Sequence, residues 1–169
     1  MRVLTPDEIS LFPRAFTETL DMARLRLINR THNPFASGKI LVRGYDIYWK
    51  DYPQNFIDKP ICEQAVLAHE LCHVWQYTTG RLSAWRYITQ PENWVYGYDF
   101  DPSKTFDDYA TEKQADLFQD WYSLNNGHPA NRHRADSLAP NLVQINAVVP
   151  FDWKAATDEV IEDSGALMV

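Results

Sequence analysis

Apolar positions change their period several times along the chain, and each change marks an element. Thr5-Pro6-Asp7-Glu8 opens the first. Thr5 is a capping residue, Pro6 suits a first helical turn, and Glu8 stands where it closes a capping box. The pattern predicts a helix from Thr5 to about Thr19, kinked at Pro13. Arg24-Leu25-Arg26-Leu27-Ile28 alternates and reads as a strand. Residues 29–38, with Asn33-Pro34 and Ser37-Gly38, read as loop. KILV and YDIYW flank Arg43-Gly44 and read as the two strands of a hairpin. A loop with two prolines covers 51–60. The spacing then predicts a long helix from Pro60 to Thr79, stopped by Gly80. Residues 81–104 are aromatic and irregular. A third long helix is expected from Thr105 to Leu124, stopped at Asn125-Asn126-Gly127, and two short helices near 140–148 and 153–162. There is no internal repeat, low-complexity tract or clear linker. The expectation is one α+β domain over 1–169, with about 150–169 as a loosely attached tail.

Composition narrows the classes. The chain has 169 residues, 45% hydrophobic and 14% aromatic, enough for one domain with its own core. A net charge of -7 argues against nucleic acid or an anionic membrane as the main partner. No apolar run approaches the ~20 residues of a membrane-spanning helix, so no membrane insertion is expected. The N-terminal MRVLTPDEIS lacks the apolar stretch of a signal peptide. The expected location is therefore cytoplasmic, or exported without a cleaved signal. Cys62 and Cys72 are ten residues apart on the second long helix, roughly 15 Å along its axis. That is too far for a disulfide, and neither forms a CxxC zinc motif.

LAHELCHVWQY, residues 67–77, carries the chemistry. His69 and His73 are four residues apart and lie within about 40° on one helix face, one turn apart. Two imidazoles so placed can bind one metal ion. Glu70, about 100° round, reaches a water beside such an ion without displacing a histidine. This is the HExxH arrangement of zinc metallopeptidases. A pattern like this arises by chance in well under ~1% of chains of this size. The bland reading of each histidine is a hydrogen-bonded core residue. The motif sits mid-helix among Leu67, Ala68, Leu71, Val74 and Trp75, which favours the metal.

A catalytic zinc site needs a third protein ligand. A histidine six residues after His73 is one route, but Gln76 and Thr79 stand where that motif wants Gly and His. A glutamate from a later helix is another, and YATEKQADLFQDW offers Glu112, 39 residues after His73. Asp116, one turn on, suits the outer nitrogen of a liganding histidine. Ala115 on the same face permits close helix packing. His128, His133 and Asp116 itself are the rival third ligands. Metal-assisted hydrolysis follows, with Glu70 taking a proton from the attacking water and passing it to the leaving amine. Tyr109, Tyr122, His128 and His133 are candidates for stabilising the oxyanion.

HELCH followed by EKQAD resembles the gluzincin zinc metallopeptidases, in particular their small single-domain forms. LTPDEI, GYDIYW, HELCHVWQ and YGYDFDPSKTFDDYATEKQAD together resemble a bacterial family of VgrG-related metallopeptidases linked to contractile (type VI) secretion. That likeness runs from about Leu4 to Tyr122. It implies a zincin-like fold with helices packed on a small sheet and the HExxH helix central. It also implies His69, His73 and Glu112 as zinc ligands and Glu70 as base, with no substrate named. Cys72 departs from the Thr or Gly usual there and reads as a small buried filler. Three functions follow: a zinc endopeptidase acting on a protein or peptide, a secretion effector or accessory protein partnered by spike components, and a non-enzymatic module with structural zinc. Glu70 argues against the third.

Overall fold

The computed structural model describes residues 1–31, 40–83 and 97–153. Within them the chain is α+β: a three-stranded sheet with several helices, two of them long. The first predicted helix is two short ones, α1 (Pro6–Ile9) and α2 (Arg14–Thr17). The expected capping box is present, with Thr5 and Glu8 each bonding the other's backbone N–H. Pro13 interrupts rather than kinks the helix. It has no N–H to donate and disfavours helical geometry at the residue before it; extended at ψ 143°, it becomes the N-cap of α2.

Strands β1 (Arg26–Ile28), β2 (Leu41–Arg43) and β3 (Asp46–Tyr48) form a sheet in the order β1-β3-β2. β1 begins two residues later than its alternation suggests. The hairpin is as expected: β2 and β3 pair antiparallel around Gly44, at φ 60°, and Val42 faces Ile47. β1 pairs parallel with β3, Leu27 opposite Ile47. The central residues Leu27, Val42 and Ile47 are buried on the core side.

Helix α3 (Ile61–Thr78) follows the predicted bounds closely, and Gly80 takes a positive φ of 74° just past its end. A residue with a Cβ adopts that conformation only with strain, which is why the helix stops there. The third long helix differs from its expectation. Thr105 and Asp108 close a capping box, but on a 3-10 turn, Phe106–Asp108. Tyr109 and Ala110 are then extended, and α4 runs from Thr111 to Asn125. The break has a local cause. The Tyr109 hydroxyl accepts from the Asp101 N–H at 3.0 Å and lies 3.2 Å from the Asp101 carbonyl, which holds Tyr109 out of helical register. α5 (Leu142–Val148) is the first of the two expected short helices, capped by Asn141 and Gln144. The second, with most of the expected tail, falls outside the described residues, as do 84–96 of the aromatic segment and Lys39 of KILV.

α3 and α4 pack along each other, α3 also touches β2, and α5 packs on α4. Ala65, Ala68 and Ala115 are buried among the core side chains, where small side chains let the long helices approach. Aromatic rings fill one end: Phe16 stacks 4.7 Å from Phe118, and Phe151 reaches Phe16, Trp75 and Phe118. Both cysteines are free thiols, Cys62 exposed and Cys72 buried, as their spacing implied. Burial pushes the Cys72 thiol well above its usual range, so it serves as filler rather than nucleophile. Among the described residues no helix is long and apolar enough to cross a membrane.

Candidate metal centre

His69 and His73 project from the middle of α3, and Glu112 from the first turn of α4. The helix pairing brings all three together in the interior. His69 Nε2 lies 3.2 Å from His73 Nε2 and 3.2 Å from Glu112 Oε1; His73 Nε2 lies 3.3 Å from Glu112 Oε2. All three residues are buried. Among the described residues this is the one group of three metal-binding side chains whose ligand atoms converge. The spacing has a simple reading. Ligand bonds of about 2.0–2.1 Å at tetrahedral angles place ligand atoms roughly 3.3 Å apart. Two imidazoles and a carboxylate at that separation fit a divalent cation.

The electrostatics point the same way. Burial acts to lower the pKa of His69, but Asp116 and Glu112 outweigh it and raise the imidazole to about 10. Burial likewise acts to raise Glu112, and the two imidazoles hold it well below the usual carboxylate range. The carboxylates of Asp116 and Glu112 thus favour positive charge on the His69 ring. Glu70 is buried beside His69, and its carboxyl feels the charges of His69, His73, Glu112 and Arg132. Desolvation raises its pKa above the ordinary carboxylate range.

A second layer of side chains surrounds the three. Asp116 Oδ1 is 3.4 Å from His69 Nδ1, at ion-pair distance but short of hydrogen-bond alignment. The fully buried Asp116 also accepts from Arg132 Nε and from the Gly97 N–H, each at 2.7 Å. One turn further along α4, Asp120 accepts the backbone N–H groups of Asn131, Arg132 and His133 and the Tyr98 hydroxyl. That carboxylate ties the segment after α4 back onto the helix and so positions Arg132. On the other imidazole, Gln76 Oε1 lies 2.8 Å from His73 Nδ1, and Gln76 Nε2 donates to the Thr111 carbonyl and to Gln114 Oε1.

The structure therefore brings together His69, Glu70, His73, Glu112 and Asp116, all named from the sequence. Of the rival ligands, Asp116 stands behind His69, at its Nδ1, and the two histidines are elsewhere. His128 lies in the loop past α4, its Nδ1 near the Pro129 carbonyl, and His133 approaches Asp120 at 4.0 Å. Tyr122 is ten residues beyond Glu112, about 15 Å along the helix, and its hydroxyl donates to Gln64. Tyr109 is engaged with Asp101. Sequence reasoning missed Gln76, Gln114, Arg132 and Asp120. A signal existed for Gln76: a polar residue three positions after His73, on the same buried face.

No protein-family profile matches the chain. A relative does. The chain is 28% identical over 135 residues to the type VI secretion system spike protein VgrG2b of Pseudomonas aeruginosa, a match covering 74% of this chain and 13% of VgrG2b. The solved effector domain of VgrG2b superposes with a TM-score of 0.60, at 22% identity, over 86% of this chain and 80% of that domain. The present chain thus has the fold of the VgrG2b effector domain and spans about an eighth of the whole spike protein. VgrG2b is the kind of relative that the LTPDEI, GYDIYW and HELCHVWQ stretches pointed to.

Proposed function

We propose that this chain is a type VI secretion effector domain, associated with spike components, whose buried centre holds zinc and hydrolyses peptide bonds. The observation that carries the effector reading is the likeness to the VgrG2b effector domain over most of this chain. It supports the secretion-linked reading over that of a stand-alone peptidase. The hydrolytic half rests on the donor set of His69, His73 and Glu112 with Glu70 beside it, and with it goes the zincin-like, gluzincin-type reading of the fold.

Bound zinc supplies a Lewis acid toward a carbonyl and brings the pKa of a water near 7. The chain's own residues do the rest. Glu70 accepts the proton of the attacking water and delivers it to the leaving amine, and its burial keeps it basic enough to do so. His69 and His73 present nitrogens, Glu112 presents the balancing charge, and Asp116 steadies His69. Of the four oxyanion candidates both tyrosine hydroxyls are committed elsewhere.

The test pairs two assays. The wild-type chain and Glu70→Gln are produced in a bacterial host, both in the cytoplasm and behind an export signal, and growth is followed. The purified, zinc-loaded proteins are incubated with a fluorogenic peptide library. Growth arrest and cleavage by the wild type, both abolished in Glu70→Gln, are expected. Growth arrest that persists in Glu70→Gln removes peptide hydrolysis from the proposal, and no arrest in either compartment removes the effector reading.

A further inference from the structure

His73 meets a chain of two buried amides that leads to a backbone carbonyl. Each amide orientation follows from a group that can only accept. The Phe106 carbonyl takes a hydrogen bond from Gln114 Nε2 at 3.0 Å. Gln114 must therefore turn its oxygen toward Gln76. That oxygen and the Thr111 carbonyl each take an N–H from Gln76 Nε2, both at 2.8 Å. Both N–H groups of Gln76 are then used, and its oxygen faces His73 Nδ1 at 2.8 Å. An amide oxygen accepts only, so Nδ1 carries a proton, and in the neutral ring Nε2 is then the nitrogen with the free lone pair. Flipping Gln76 would press its oxygen against two other acceptors at 2.8 Å and leave its NH₂ facing the ring. Gln76 is fully buried and Gln114 nearly so, so no solvent relieves such a clash.

We infer that Gln76 is a positioning residue for the metal centre, and that the Gln114–Gln76 relay locks His73 in the tautomer that offers Nε2 to the ion. The inference rests on the metal reading above. The relay also has a mechanical role. Thr111 immediately precedes Glu112, so the Gln76–Thr111 bond sets the start of α4 against the histidine helix. One side chain thus fixes the orientation of one ligand and the approach of another. Hydrogen bonds to the outer nitrogen of a liganding histidine commonly act this way on tautomer and basicity.

The experiment uses the full chain as Gln76→Met, Gln114→Met, the double variant and His73→Ala, with methionine keeping the volume and removing the polar groups. Zinc affinity is measured by competition with a chelator, and the ring N–H of His73 is followed by ¹⁵N-resolved NMR in the zinc-loaded protein. Gln76→Met should weaken zinc by about 10–100-fold and expose the His73 Nδ1–H to fast exchange. Gln114→Met should weaken it less. The double variant should match Gln76→Met alone, because Gln114 acts only through Gln76. Unchanged affinity with a protected Nδ1–H in Gln76→Met overturns the relay, and so do losses that add independently in the double variant. Should Gln76→Met not fold, Gln114→Met decides: faster Nδ1–H exchange with weaker zinc supports the relay, and neither change overturns it. Wild-type zinc binding in His73→Ala overturns the metal reading itself.

Discussion

Asp116 Oδ1 is shared between Arg132, 2.7 Å away, and His69 Nδ1, 3.4 Å away. A guanidinium, a carboxylate and an imidazole thus stand in line toward the centre, drawn from the segment after α4, from α4 and from α3. Removing Arg132 leaves a fully buried carboxylate facing the Gly97 N–H and a more distant imidazole. Arg132→Met should lower zinc affinity by about 10-fold and stability by about 2 kcal/mol. Chelator competition and urea unfolding measure the two. Unchanged zinc affinity would detach Arg132 from the site.

Direct ligands and their neighbours should separate by size of effect. His69→Ala, His73→Ala and Glu112→Ala should each lose the one zinc per chain expected of the wild type. Asp116→Asn should weaken binding by about 10–100-fold. His128→Ala should change nothing, since His128 lies in the loop past α4. Elemental analysis after dialysis, followed by chelator titration, ranks the five. Zinc released by His128→Ala and retained by Glu112→Ala would reverse the assignment of the third ligand.

Glu70→Gln should keep zinc and the melting temperature while losing about 10²–10⁴-fold in cleavage rate. The comparison is made at matched metal occupancy. Equal cleavage by the two proteins would show that another group takes the proton.

Tyr122→Phe distinguishes a core tyrosine from a catalytic one. Its hydroxyl donates to Gln64 Oε1 at 2.7 Å in the α3–α4 interface. Loss of that buried bond should cost about 1–2 kcal/mol of stability with zinc affinity and cleavage rate unchanged. A fall in kcat without a fall in stability would return Tyr122 to the active site.

The clamp of Arg2 on the buried Glu8 carboxylate, 2.6 Å apart, predicts an acid limb. Burial acts to raise Glu8, but Arg2 and the N–H groups of Thr5 and Phe56 hold its pKa below the ordinary 4.5. A depressed folded-state pKa stabilises the fold above the unfolded value, and that stability is lost as pH falls through the folded value. The loss should therefore set in below about pH 4.5. Glu8→Gln should be less stable than wild type at neutral pH and fall less steeply in acid. Parallel stability curves from pH 7 to pH 3 would exclude the clamp as a source of acid sensitivity.

What was legible in the sequence was local. α3 reads from its apolar period, and its end from Gly80, because both depend on the helix alone. Glu112 reads from its place on the next long helix, and Asp116 from the turn after it. The breaks at Pro13 and Tyr109 were harder. A capping box announces a start without saying whether one turn or five follow, and at Tyr109 the answer lies with Asp101, eight residues upstream. Gln76 and Asp120 were not legible as site residues. Their partners stand 35 and 38 positions away for Gln76, and for Asp120 in a segment whose return to the helix no periodicity signals.

Two of the three converging donors come from α3 and the third from α4. An unfolded chain retains the histidine pair but loses Glu112 from its side. An ion that binds there binds the native state far better than the unfolded one, and by mass action its free concentration becomes part of the protein's stability. At a hundred times its dissociation constant it adds about 2.7 kcal/mol. The melting temperature is then a property of chain and solution together. A domain delivered from one compartment to another would stiffen or soften with the metal supply it meets, without any change of sequence.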